Sequence, residues 1–361
     1  MRSSNIKNRR LEFSDNVYVK VKAGEFNPVQ TGDILICVRN GSRDLIGKNA
    51  IINEGAQGFA FGAFMAVFRS DYNAFLHQLF DTDIYLKEIH KNLGATINSI
   101  NGSDLKHFKI PLPPTKERTK ITAILSTWDE AITKSQQLIT QLQQRNKGLM
   151  QQLLTGKKRL VGFDKVWKTI PLSDCLTYTP RQVPKPSESF FALGIRSHAK
   201  GIFHKNDFEP ADLAMDVLYK VKENDLIVNI TFAWEQAIAI AGKRDDGGLV
   251  SHRFPTYTFK KENACVDFFR YLVSQKKFKY LLDLISPGGA GRNRVMSKKD
   301  FLQLEVTIPD VEEQKAIGSI LNDAITELRL YEQSLAALQL QKKGLMQKLL
   351  TGEIRVVNLI D

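Results

Sequence analysis

The sequence predicts an α+β chain that carries one plan twice, each copy a mixed segment of short strands and helices followed by one long helix. Three observations carry this reading. A ten-residue motif occurs twice, a heptad rhythm of apolar residues leads into each occurrence, and short apolar strand patterns bounded by turn residues lie upstream of both. A length of 361 residues suits two or three domains. With 43% hydrophobic and 25% charged residues the composition is ordinary for a globular protein and excludes a disordered or collagen-like chain.

The repeat comes first. KGLMQQLLTG (Lys147–Gly156) returns 196 residues later as KGLMQKLLTG (Lys343–Gly352), differing only at Gln152 and Lys348. The same offset pairs Ile121 with Ile317, Ile124 with Ile320, Leu125 with Leu321 and Leu142 with Leu338. Further upstream KIPLPP (Lys109–Pro114) faces EVTIPD (Glu305–Asp310). Nine matches in ten positions do not arise by chance.

The mixed segments share a skeleton in order. GDILICV (Gly32–Val38) corresponds to NDLIVNI (Asn224–Ile230), an apolar strand after a turn. GFAFGAFMAVF (Gly58–Phe68) corresponds loosely to GLVSHRFPTYTF (Gly248–Phe259). Helical patterns follow in NAFLHQLFDTDIYLKEIHKNL and ACVDFFRYLVSQKKFKYLLDLI, then glycine-polar loops at Gly94–Leu105 and Gly288–Phe301. The second copy is 41 residues longer, and the excess lies at its start, around Val166–Arg196, where proline-rich TPRQVPKP reads as a loop. The boundaries fall at 1–112, 113–160, 161–308 and 309–361.

Each copy ends in a rod. Its seam is Ile121, Leu125, Trp128, Ile132, Ser135, Ile139, Leu142, Asn146, Leu149 and Leu153 in the first. In the second it is Ile317, Leu321, Ala324, Leu328, Tyr331, Leu335, Leu338, Lys342, Leu345 and Leu349. Alternating steps of four and three, sustained over several heptads, indicate a coiled coil. Pro113, Pro114 and Pro309 stand before the helices, where proline is tolerated. Asp310 with Glu313 forms a D-x-x-E capping pattern, and Gly156 and Gly352 suit the left-handed position after a helix. Two rods in one chain pack most economically on each other, and antiparallel pairing gives a pseudo-twofold repeat. Ser135, Asn146 and Lys342 interrupt the seam, either to fix its register or at its solvated edge.

A catalytic site is not expected. No phosphate loop, no dinucleotide-binding glycine motif and no Asn-Pro-Pro-aromatic tetrapeptide is present. Pro309-Asp310, Glu313 and Lys315 resemble a nuclease motif, but all fall at one helix start instead of on neighbouring strands. His77, His90, His107, His198, His204 and His252 lack metal-ligand spacing, although His198 and His204 could pair. Cys37, Cys175 and Cys265 are too dispersed for a disulfide framework and read as reduced thiols of a cytoplasmic protein. No apolar run approaches the ~20 residues that cross a bilayer.

The net charge of +12 favours a polyanionic partner. The first rod segment, 113–160, carries +6 and the last, 309–361, carries −2, so the rods are not both simple DNA-binding helices. The better signal is polar-basic loops. Arg39, Asn40, Ser42, Arg43 and Lys48 follow a strand directly, and Arg292, Asn293 and Arg294 lie in a glycine-rich loop. Arginine reads guanine and asparagine reads adenine. To the same DNA-contacting set belong Asn98, Arg196, His198, Lys200 and Asn229.

The rod starts IPLPPTKERTKITAIL and TIPDVEEQKAIGSIL, the rods themselves and the doubled KGLMQ-x-LLTG ending resemble the specificity (S) subunits of type I restriction-modification systems. The resemblance covers nearly the whole chain. It implies a non-catalytic subunit with two target recognition domains, at 1–112 and 161–308, each reading one half of a split site in double-stranded DNA. It implies an antiparallel coiled coil between them. It implies two modification subunits as partners, which bring S-adenosylmethionine, and restriction subunits that use ATP with Mg; this chain itself needs no cofactor. Family members open the first domain with a segment like Val166–Arg196, so here that domain is expected to be short at its N-terminus. The competing class is a coiled-coil scaffold that binds nucleic acid without sequence preference.

Overall fold

The structure, a computed structural model, describes residues 1–20, 24–93, 98–286, 288 and 294–356. The first half runs through β1 (Ile6–Lys7), β2 (Arg10–Leu11), β3 (Ile34–Cys37), β4 (Asn49–Ile51), β5 (Met65–Phe68), α1 (Asn73–Leu79), α2 (Asp83–Asn92), α3 (Gly102–Lys106) and the long α4 (Thr115–Leu153). The second half opens with β6 (Lys168–Pro171), α5 (Leu172–Cys175), β7 (Leu176–Tyr178), β8 (Gln182–Pro184), β9 (Phe190–Ile195), β10 (Ile202–Phe208) and β11 (Val217–Lys220). It continues with β12 (Leu226–Val228), β13 (Ile238–Ile240), β14 (Leu249–Val250), β15 (Thr256–Phe259), α6 (Val266–Leu272), α7 (Lys276–Leu284), α8 (Lys298–Gln303), β16 (Glu305–Ile308) and the long α9 (Val311–Leu350).

Two compact units result, each closed by one end of both rods. Unit 1 holds Met1–Leu138 with Glu332–Asp361, and unit 2 holds Ile139–Tyr331. Both contain the same antiparallel three-strand element, in the orders β4-β3-β5 and β13-β12-β15. The central strands, Ile-Leu-Ile-Cys and Leu-Ile-Val, are buried throughout, as uninterrupted apolar runs should be. Each follows the same turn. Gly32 and Asn224 take left-handed φ values of 88° and 68°, which glycine and asparagine tolerate best. The next residue, Asp33 or Asp225, accepts a backbone hydrogen bond from Gln30 (2.7 Å) or Lys222 (2.8 Å).

Those two aspartates are buried and each is met by an arginine, but from different places. Asp225 pairs with Arg181 at 2.5 Å, from the longer opening of the second copy. Asp33 pairs with Arg69 at 2.7 Å, from just beyond β5. The opening has further work in unit 2. β7 adds a fourth strand beside β15, and β6 pairs with β16 from Glu305↔Pro171 to Ile308↔Lys168. Residues 109–112, the counterpart of β16, form no strand. The proline-rich stretch expected as a loop contains β8, an edge strand of the five-stranded sheet β10-β9-β14-β11-β8. An edge tolerates proline because one side of the strand needs no donor.

The rods are continuous helices of 39 and 40 residues, about 58–60 Å at 1.5 Å per residue. Gly156 and Gly352 follow them with φ of 69° and 78°, the left-handed position the sequence indicates. Asp310 caps α9 by accepting from the Glu313 amide at 3.0 Å. Glu313 does not complete the box, because its carboxylate is occupied elsewhere.

Within unit 2 the rods run antiparallel. Leu153 and Leu154 share a core with Ile317, Leu321, Phe268 and Phe301, and the buried Asn146 amide donates to the Ala324 carbonyl at 2.8 Å. Within unit 1, Ile121 and Leu125 share a core with Met346, Leu349, Leu350, Phe75 and Leu79, and the buried Lys342 ammonium meets Asp129 at 2.7 Å. Asn146 and Lys342 are equivalent under the repeat, and both sit inside the seam with a partner. They fix register, since a slipped pairing would leave a buried polar group unsatisfied. Ser135 instead returns its hydroxyl to the Ala131 carbonyl of its own helix. In the first rod Ile132, Ile139 and Leu142 are buried along the middle of the seam, whereas the middle of the second rod is more open. Leu328, Leu335 and Leu338 are half-buried and Tyr331 is exposed.

Each rod start is closed by the tail of the other rod. Glu117, at the first turn of α4, accepts from Nε and Nη2 of Arg355 at 2.7 Å each, and Glu313, at the first turn of α9, accepts from Nε and Nη2 of Arg159 at 2.7 Å each. Both carboxylates are buried. Trp167, packed over Gly156, also donates to Glu313 at 3.2 Å.

Two outcomes follow for Glu117. Arg355→Ala accelerates amide hydrogen exchange across Thr115–Leu125 and lowers the melting temperature by a few degrees, while exchange across Val311–Leu321 is unchanged. The Arg355 guanidinium also holds the Glu117 carboxyl below its ordinary value. The clamp is therefore fully formed above the ordinary glutamate pKa of ~4.3 and is lost as pH falls through the lowered value. Acid titration of the wild type and Arg355→Ala measures this, with the variant losing less stability on acidification.

Candidate nucleic-acid interface

In unit 1 the loop after β3 meets two other segments. Val38 and Arg39 donate to the Phe64 carbonyl, Ile100 donates to Val38, and Asn40 donates to Asn98. This gathers Arg39, Asn40, Ser42, Arg43, Lys48 and Asn98 into one cluster, and the structure then divides them by role. Asn40 donates to Ser3 at 3.1 Å and accepts from the Ser42 amide at 3.0 Å. Asn98 donates to the Gly41 carbonyl at 3.0 Å, and Lys48 to the Ser3 carbonyl at 3.2 Å. These three side chains hold the loop. Arg39, Ser42 and Arg43 are exposed. The Arg39 guanidinium lies 5.2 Å from the centre of the Phe64 ring, a residue 55% exposed. Arg43 makes no side-chain bond among the described residues.

Unit 2 builds its cluster from four loops. The β9–β10 hairpin tip is bound through His198 N to the Glu235 carbonyl (2.7 Å) and Ala199 N to the Gln236 carbonyl (2.9 Å). Ser197 adds its hydroxyl to Glu235 at 2.6 Å. Ile230 accepts from Met296 (2.9 Å) and donates to Arg253 (3.0 Å), which brings in the loops before α8 and before β15. Arg196, His198, Lys200, His252 and Arg253 are exposed on this surface. His198 and Ala199 take left-handed φ values of 62° and 51°, which turn the hairpin tip. Arg196 also donates to the Ile202 carbonyl and lies 5.3 Å from the Phe203 ring centre.

Asn229 departs from its expected role. It is buried, and its side-chain oxygen accepts from the Thr231 amide at 3.1 Å, so it shapes the loop from within. Arg294 is half-exposed, paired with Asp283 at 2.7 Å and placed 5.2 Å from the Trp234 ring centre. Arg292 and Asn293 lie outside the described residues. His204 does not meet His198 but pairs with Asp245 at 2.6 Å. Sequence reasoning missed Phe64, Arg253, Phe232 and Val295. The two aromatic residues and the valine read as core in a linear pattern, and only the fold shows them exposed among basic loops.

No group of three or more His, Cys, Asp or Glu able to hold a metal occurs among the described residues. Burial pushes the Cys175 thiol up to about 12 and also raises the Cys37 thiol, which makes both poor nucleophiles. No helix among the described residues is long and apolar enough to cross a membrane.

A family model described as the type I restriction modification DNA specificity domain matches residues 3–144 and 211–340. The chain is 29% identical over 356 residues to the putative type I restriction enzyme MjaX specificity subunit of Methanocaldococcus jannaschii, covering 90% of this chain and 79% of that one. It is 26% identical over 286 residues to the MjaVIII specificity subunit of the same organism, covering 74% and 67%. Among solved structures, the type I restriction-modification S subunit from M. genitalium aligns with a TM-score of 0.57 at 16% identity, over 90% of this chain and 84% of that one. That structural likeness establishes the shared fold. The two family matches together span most of the sequence: the first contains the first mixed segment with part of its rod, and the second contains the later part of the second mixed segment, from residue 211, with part of its rod. This chain belongs to the type I restriction-modification DNA specificity family.

Proposed function

We propose that the chain reads DNA for a type I restriction-modification complex, one mixed domain per half of a split site. The observation that carries this is the repetition of one design. Each unit presents an exposed, basic loop cluster held by internal hydrogen bonds, and the closing contacts of one unit recur in the other at the same offset. Arg39 and Arg43 in unit 1, and Arg196, Lys200 and Arg253 in unit 2, supply the guanidinium and ammonium groups that bind phosphate and base edges. The similarity to specificity subunits supports this reading over a scaffold without sequence preference.

The chain itself carries out no chemistry in this account. Two modification subunits supply S-adenosylmethionine and methylate the DNA, and restriction subunits supply ATP- and Mg-dependent cleavage in the cytoplasm. The rods and the clamped helix starts offer the surfaces on which those partners assemble. The carboxylates that resemble a nuclease motif are engaged structurally, since Glu313 holds Arg159 and Asp310 caps α9 while pairing with Lys165 at 3.0 Å.

Two experiments test the reading. Purified chain without partners shows no methyl transfer, DNA cleavage or ATP hydrolysis; turnover that follows the chain through purification contradicts it. Exchange of residues 161–308 for the matching segment of a relative changes one half of the methylated motif and leaves the other intact. A change in both halves contradicts the assignment of one domain to one half-site.

A further inference from the structure

Unit 2 exposes two apolar side chains in the middle of its basic loops. Phe232 is 39% exposed and Val295 is 54% exposed. Their loops are tied together by the Met296–Ile230 hydrogen bond at 2.9 Å. The same Phe232 loop is tied to the hairpin tip that carries Arg196, His198 and Lys200 through Glu235 and Gln236.

The Phe232 loop is held from behind. Gln236 is buried in a left-handed conformation with φ 62°, and its amide donates to the Val273 and Gln275 carbonyls at 2.8 and 3.1 Å. Asn229 fixes the other end through the Thr231 amide. An aromatic ring on a preordered loop loses little freedom on binding.

We propose that Phe232 and Val295 read a thymine methyl group in the second half-site, an inference that rests on the DNA-recognition role above. A two-stranded ribbon such as β9–β10 fits the major groove, where the thymine C5-methyl is the apolar group among donors and acceptors. A phenyl ring and an isopropyl group neither donate nor accept hydrogen bonds, so that methyl is their complement. The surrounding Arg196, Lys200 and Arg253 supply the attraction to phosphate. The apolar pair therefore adds discrimination without adding salt dependence.

The test uses the chain assembled with its modification subunits and the duplex it selects from a random pool. Each thymine of the second half-site is replaced in turn by uracil, which removes only the methyl group. At least one replacement lowers wild-type affinity about three- to fivefold, the scale of one buried methyl group. Phe232→Ala loses that sensitivity, with the slope of affinity against salt unchanged, and Phe232→Leu keeps part of it. Uracil tolerated at every position, an equal cost in wild type and Phe232→Ala, or a second half-site without thymine overturns the inference. If wild type binds selected and scrambled duplexes alike, the DNA-specificity reading fails as well, which separates that failure from the failure of Phe232 alone.

Discussion

Glu117 and Glu313 are buried carboxylates at the first turns of the two long helices, and each is met in two hydrogen bonds by an arginine that lies beyond the end of the other helix. A buried carboxylate left alone is costly, so neither helix start is complete without the opposite tail. The apolar contacts obey the same rule. Leu153 and Leu154, from the end of the first rod, join the core of unit 2, and Leu349 and Leu350, from the end of the second, join the core of unit 1. Each copy's ending thus serves the other copy's domain. The near-identity of the two KGLMQ-x-LLTG segments follows from this. Both perform one packing task in two equivalent cores, whereas the reading loops need not resemble each other.

The duplicated plan was legible in the sequence because repetition and periodicity are linear properties. The offset of 196, the heptad seam and the strand after each turn all appear as short patterns. Partners that meet across long separations were not legible. Nothing local distinguishes Glu313 as a clamp from Glu313 as a capping-box member, and its carboxylate is decided by Arg159, 154 residues earlier. Arg181 and Arg69 show the same limit. They satisfy equivalent aspartates from unrelated positions, a substitution that becomes visible only when both sheets are formed. The edge strand Gln182–Pro184 was hidden because proline content speaks for a loop until the chain is known to run along a sheet margin.

The loops divide along physical lines that composition could not draw. Asparagine looked like a base reader, but Asn40, Asn98 and Asn229 spend their amides on the loop backbone or on Ser3. Short amides reach local backbone groups readily, which is why they shape turns. Most of the longer guanidinium and ammonium groups extend past that scaffold, as Arg39, Arg43, Arg196 and Lys200 do, whereas Lys48 folds back onto the Ser3 carbonyl. Rigid loops with projecting long side chains suit base recognition, because the backbone is ordered before DNA arrives.

Sequencing the methylated bases in cells that carry the intact system tests the central claim most directly. The account predicts one motif of two specified segments separated by unspecified bases. A single continuous motif, or methylation without sequence preference, contradicts it.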